Sequence, residues 1–232
     1  MKVGRWAPGF AACATVLAMV VLPPLAGAQD KARSKKGAAA AGSAPAAKAP
    51  AAPDYAQRFA SVCASCHGAN GRSDMAGTPV LAGQPSLYAI TQLFLFREGR
   101  RDNAAMTAVA KTLSDDDMRG FADYIGTLPP VPAPAPATTP DAARMAKGRQ
   151  LAEQHRCVSC HGADLGGGQQ VPRIGGQKEE YLQASLRGFK SGSRPAYTQA
   201  MVSAVSQVPV EDLDTLAYYA ARFTPPAAPA GK

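Results

Sequence analysis

Beyond two five-residue stretches and one position near the N-terminus, Cys13, the 232-residue sequence contains no cysteine. It has a single tryptophan, Trp6, only three histidines, and 6% aromatic residues. No stretch alternates apolar and polar residues as a half-buried strand does, which excludes a sheet and leaves an all-α chain. The longest apolar run extends from about Phe10 to Leu22. It is shorter than the roughly 18–20 residues that a membrane span needs. No folded stretch carries a strong excess of one charge: residues 54–128 hold seven basic and eight acidic residues, and residues 140–223 hold ten and eight. The net charge of +8 lies mainly in the N-terminal segment. A basic folded face, which nucleic-acid binding requires, is therefore excluded.

Residues 1–28 read as a cleavable signal peptide. Lys2 and Arg5 precede the apolar run, and Ala26-Gly27-Ala28 has the small-residue pattern of a cleavage site. Export to the periplasm follows, and cleavage removes Cys13 and Trp6. Residues 29–53 are mostly Ala, Lys, Gly, Ser and Pro and hold five bases against one acid. They bury too little apolar surface to offset ordering entropy, so they read as a disordered tail, at most a peripheral tether to anionic lipid.

What remains is a repeat. Cys63-Ala64-Ser65-Cys66-His67 and Cys157-Val158-Ser159-Cys160-His161 share the C-x-x-C-H form of covalent haem c attachment. Three residues make about one helical turn, so both thiols face one way towards the vinyl groups of a porphyrin. The histidine that follows supplies one axial nitrogen to iron. A lone C-x-x-C reads equally well as a redox dithiol or half a zinc site, but two copies in an exported chain favour two haems. Around the motifs, Leu81-Ala82-Gly83-Gln84 recurs as Ile174-Gly175-Gly176-Gln177. Tyr88, Leu93, Phe96, Gly99 and Arg101 recur as Tyr181, Leu186, Phe189, Gly192 and Arg194. The repeat defines a first domain over 54–128, a Pro-rich linker over 129–139 acting as a semi-rigid spacer, a second domain over 140–223, and a disordered tail over 224–232. Each domain is small, with a thin core unless a covalent haem fills it.

In the first domain one helix is expected from Asp54 to Ser65 and another from Pro85 to about Glu98. A last one is capped by Ser114, with Asp115, Asp116 and Asp117 suiting its positive end. The second axial ligand separates carriers from enzymes, because a Met thioether closes the iron and raises its potential. Met106 lies after the Arg101 box and Met201 after the matching Arg194, which makes them the candidates. Met75 follows His67 closely, Met118 sits among acids, and Met145 precedes the second motif. His155, two residues before Cys157, reads as a solvent-facing helical side chain.

The two motifs, the Gly-Gln boxes, the G-x-R turns and the later methionines together resemble the cytochrome c4 family of dihaem cytochromes, over about residues 54–223. The resemblance is specific in Pro79-Val80-Leu81-Ala82-Gly83-Gln84 and Pro172-Arg173-Ile174-Gly175-Gly176-Gln177. It implies two tandem class I cytochrome c domains with their haems near one another. It also implies that the carbonyls of Pro79 and Pro172 accept the Nδ1 proton of the axial histidines. The expected function is a periplasmic carrier, not an enzyme, passing single electrons between respiratory partners. A quinol–cytochrome c oxidoreductase or a dehydrogenase would feed it, and a terminal oxidase would drain it. The alternatives are an electron-accepting subunit of a sulfide- or alcohol-oxidising dehydrogenase and, below that, a dihaem enzyme.

Overall fold

The computed structural model describes residues 53–136, 138–194 and 198–224. The signal peptide expected over 1–28 lies outside them, as do the tail expected over 29–53 apart from Pro53 and the C-terminal tail apart from Thr224. Among the described residues the fold is helical, with one isolated antiparallel bridge between Gly168 and Val171.

Two sets of helices follow one another in the same order. The first comprises α1 (Tyr55–Val62), α2 (Ala64–His67), α3 (Ser86–Arg97), α4 (Ala104–Ala110) and α5 (Asp115–Thr127). The second comprises α6 (Ala142–Gln154), α7 (Val158–His161), α8 (Glu179–Ser191), α9 (Ala200–Ser206) and α10 (Val210–Arg222). Local chemistry sets several ends. Asp54 accepts from the N–H groups of Ala56 and Gln57, and Asp141 from that of Arg144. Ser114 and Asp117 form a reciprocal capping box at the start of α5.

The single helix expected over 54–65 is instead two. The chain kinks at Cys63, with φ −107°, so α1 ends at Val62 and a separate turn carries Cys66 and His67. In the second set the break is sharper, because Arg156 takes a left-handed φ of +58° between α6 and α7. Both breaks end the preceding helix before the turn that carries the second thiol and the histidine.

Each set packs its own core. Phe59 and Phe121, each 1% exposed, anchor the first with Leu113, Met118 and Ile125. Leu151, Leu165, Leu182, Leu213, Leu216 and Tyr219 form the second. The long helices cross where a tyrosine ring lies on a glycine, Tyr55 on Gly120 and Tyr219 on Gly148. A methyl group at Gly120 would stand 2.0 Å from the Tyr55 ring.

The linker is not the spacer its composition suggests. The Gly83 N–H donates to the Leu128 carbonyl at 3.0 Å, and Ala133 N–H to the Gly176 carbonyl at 2.7 Å. Pro130 lies where a Cβ of Gly83 would be, at 2.7–2.8 Å, and Pro132 lies 3.2 Å from that of Gly176. Both glycines have left-handed φ, +72° and +67°. The repeated glycine is thus a seat for the linker. Gly83→Ala should combine a left-handed cost of about 1–2 kcal/mol with a clash against Pro130, lowering the melting temperature by roughly 5–10 °C and opening the linker to protease. The control Gly77→Ala, at φ +71° with nothing within 4 Å, carries the backbone cost alone. Equal losses in the two variants would refute the linker seat.

Candidate functional site

The two C-x-x-C-H turns are built alike. Cys63 and Cys157 are half-buried, Cys66 and Cys160 are exposed, and none of the four is in a disulfide. Burial pushes the Cys63 thiol up to about 11 and raises Cys157 as well. Among the described residues no group of three or more His, Cys, Asp and Glu is placed to hold a metal ion, so neither pair of thiols belongs to a zinc cluster.

His67 and His161 are 5% and 6% exposed. The Nδ1 of His67 lies 3.0 Å from the Pro79 carbonyl oxygen, and that of His161 lies 2.9 Å from the Pro172 carbonyl oxygen. These are the contacts the resemblance implied. A carbonyl only accepts, so each Nδ1 carries the proton and Nε2 is left with its lone pair free for a metal. Burial lowers the affinity of both rings for a second proton, more than the proline carbonyls raise it. Lys178 adds a like charge that lowers His67 further. Each ring is thereby kept as neutral imidazole, the ligand form.

Met106 and Met201 are both half-buried and sit on the equivalent short helices α4 and α9. The other methionines differ in setting. Met75 is 50% exposed, Met118 is 3% exposed in the first core, and Met145 packs on the second. His155 is not the solvent-facing side chain its sequence position suggests. It caps α6 half-buried, and its Nε2 is buried without a hydrogen-bond partner.

The two units meet through the residues of the repeat. Arg101 donates to Gln92 at 2.7 Å and to the Tyr181 hydroxyl of the other unit at 2.9 Å. Arg194 reaches Ser185, Tyr181 at 3.3 Å and, at a longer 3.5 Å, Tyr88 of the first unit. Burial raises Tyr88. Burial acts the same way on Tyr181, but Arg194 and Arg101 outweigh it and draw its hydroxyl below the usual tyrosine value. Neither guanidinium has a carboxylate partner among the described residues. Two cations meeting without an anion fit a group that brings its own carboxylates, as a porphyrin with propionates does. Together with the thiol pairs and the prepared histidines, the residues present fit two covalent haems.

The sequence marks Gln84, Gln177, Arg101, Arg194, Tyr88 and Tyr181 as repeat positions and Arg173 as part of a family-specific stretch without giving them roles, and it gives no signal at Lys178. Arg173 is an interface cation without a carboxylate, donating to the carbonyls of Gly175 (2.6 Å), Ala82 (3.1 Å) and Val131 (2.6 Å). Lys178, 6% exposed, reaches the Met75 carbonyl of the first unit, and Glu180 accepts from the Gly77 N–H at 3.2 Å.

Comparison with known proteins agrees with this geometry. The family model for cytochrome c matches twice, over residues 55–129 and 145–219. A thiosulfate dehydrogenase electron acceptor from Thiomonas intermedia is 39% identical over 144 residues, which is 58% of this chain. The chain spans just under two thirds of that relative, 65% of its length. A cytochrome c4 from Pseudomonas aeruginosa is 30% identical over 172 residues, 70% of this chain and 84% of that protein. The solved structure of reduced recombinant cytochrome c4 from Pseudomonas stutzeri superposes with a TM-score of 0.63 at 25% identity, covering 73% of this chain and 97% of that one.

Proposed function

The chain belongs to the cytochrome c family, as a tandem dihaem protein of the cytochrome c4 kind, and we propose that it is an exported shuttle that takes single electrons from a periplasmic donor and delivers them towards a terminal oxidase. Its two haem c groups supply the one-electron iron couple. In this reading Cys63 and Cys66 hold one haem and Cys157 and Cys160 the other. His67 with Met106, and His161 with Met201, are the axial ligands. Arg101 and Arg194 face the haem carboxylates and balance their charge where the units meet.

The observation that carries the reading is that both units offer the same complete donor set. Each has two thiols on one turn, a buried histidine with its Nδ1 already engaged, and a half-buried methionine on a matching helix. Saturated iron has no position for substrate, so the work left to the protein is outer-sphere transfer during brief, small-area encounters. The reduced protein should be reoxidised by membranes from its own source at rates faster than autoxidation, and an oxidase inhibitor should abolish this. Membranes that leave it reduced would overturn the reading.

A second reading concerns the donor. The likeness to an electron acceptor of thiosulfate dehydrogenase favours a thiosulfate-oxidising enzyme as the partner that reduces the protein. Thiosulfate with that class of dehydrogenase should then reduce both haems catalytically. If reduction requires a stable complex and membranes do not reoxidise the product, the subunit role replaces the shuttle.

A further inference from the structure

Each axial-histidine contact is continued across the interface by one residue of the opposite unit. The Pro79 carbonyl that receives the His67 Nδ1 proton belongs to the Pro79–Val80 peptide. The N–H of that same peptide, on Val80, donates to the side-chain oxygen of Gln177 at 2.8 Å. Gln177 closes a second bond, its Nε2 donating to the Val80 carbonyl at 2.9 Å. The arrangement repeats in reverse. His161 Nδ1 meets the Pro172 carbonyl, and the next N–H, on Arg173, donates to the Gln84 oxygen at 3.1 Å. Gln84 Nε2 donates to the Arg173 carbonyl at 2.8 Å. Gln84 and Gln177 are 4% and 3% exposed, so water does not compete for these bonds.

A peptide unit bonded at both ends is more polar than one bonded at one. When its N–H is held by an acceptor, electron density moves to the carbonyl oxygen, and hydrogen bonds in series strengthen one another by something like 10–30% each. The carbonyl then pulls harder on the imidazole proton, and the ring becomes a more basic ligand. A more basic ligand favours ferric iron and lowers the potential.

We propose that Gln177 and Gln84 are crossed positioning residues: Gln177, in the second unit, sets the basicity of His67 in the first, and Gln84, in the first, sets that of His161 in the second. Each haem's potential thus depends on the glutamine that the opposite unit presents, and full undocking of the units, which withdraws both glutamines, raises both potentials. The inference rests on the reading that His67 and His161 ligate iron.

The test is a spectroelectrochemical titration of the full dihaem protein, with each haem and each histidine Nδ1–H resonance assigned by NMR. Gln177→Leu removes the acceptor and should raise the potential of the first haem, with about a threefold change in its ferric-to-ferrous ratio at fixed ambient potential (~30 mV, at 59 mV per tenfold). The His67 Nδ1–H resonance should move upfield while the second haem changes little. Gln84→Leu, which withdraws the other glutamine from the same interface, should instead move the second haem and His161. Gln177→Glu, which keeps an acceptor oxygen in either protonation state, should leave the first haem at or below its original potential. Shifts that fall on the haem of the mutated unit, or equally on both, would overturn the proposal. So would Gln177→Leu and Gln177→Glu shifting the first haem alike. Failure of the ligation reading looks different: the His67 Nδ1–H of the unmutated protein would then lack the ring-current displacement of a haem ligand.

Discussion

A variant with Cys157 and Cys160 both replaced by alanine should carry one haem instead of two, and its second unit should lose cooperative unfolding. The thiols lie on one turn, and Cys157 is half-buried against the core of its unit. Beside it, Met145, Val158, Ile174, Leu186 and Phe223 are apolar side chains left only partly covered by the protein itself. Burying even ~200 Å² of such surface against a porphyrin contributes about 5 kcal/mol at ~25 cal/mol/Å², comparable with the whole stability of a small domain. A unit of this size has no comparable reserve, and no disulfide can replace it because the four thiols are committed to the motifs. Intact mass and haem staining count the attached groups, and thermal melts by far-ultraviolet circular dichroism follow the fold. Two haems retained by the variant, or zinc in the unmutated protein, would refute covalent attachment at these turns.

The signals legible in the sequence were those that act within a few residues. Ser114 caps the helix that begins one residue later with three aspartates, so this start could be read directly, and the C-x-x-C-H spacing is equally local. The chain break at Cys63 was not legible, because nothing in the composition of 54–65 opposes a continuous helix. The break lies in the backbone of Cys63 itself, at φ −107°. Gln84 presented a different obstacle. Its partner, Arg173, is 89 residues away, and only docking of the two units brings the amide and the peptide together. The linker misled for a related reason. Its prolines do give extended chain, but its course is set by Gly83 and Gly176, whose left-handed backbone makes room for Pro130 and Pro132. The sequence position of His155 suggests a solvent-facing helical side chain, yet at the end of α6 it is half-buried with its Nε2 out of reach of water. The resemblance carried what local pattern could not, the contact of each histidine with a proline carbonyl, because that contact depends on the loop between them.

Met106→Ala should remove about half of the weak far-red absorbance that a sulfur–iron bond gives the oxidised protein, and Met201→Ala the other half. Three further methionines, Met75, Met118 and Met145, lie among the described residues, so the choice rests on setting. Met75 is 50% exposed, and Met118 is held at 3% exposure in a packed core with Phe121 and Ile125. Met106 and Met201 alone share a repeat-related place, half-buried on α4 and α9, which lie against α3 and α8 of their own units. The α4 turn is itself pinned, since Asn103 accepts the Met106 N–H at 2.9 Å and fixes the backbone that presents the thioether. Loss of the sulfur ligand should lower the potential of that haem by an amount on the order of 0.1 V, a modest part of the ~0.8 V that axial ligands span. Met106→His should lower it as well while keeping the iron six-coordinate, because imidazole stabilises ferric iron more than a thioether does. Absorbance near the far-red band, together with a potentiometric titration of each variant, separates ligand loss from ligand exchange. If Met75→Ala, and not Met106→Ala, abolishes half of the band, the first haem takes its sulfur from the loop after His67 and α4 has only a packing role.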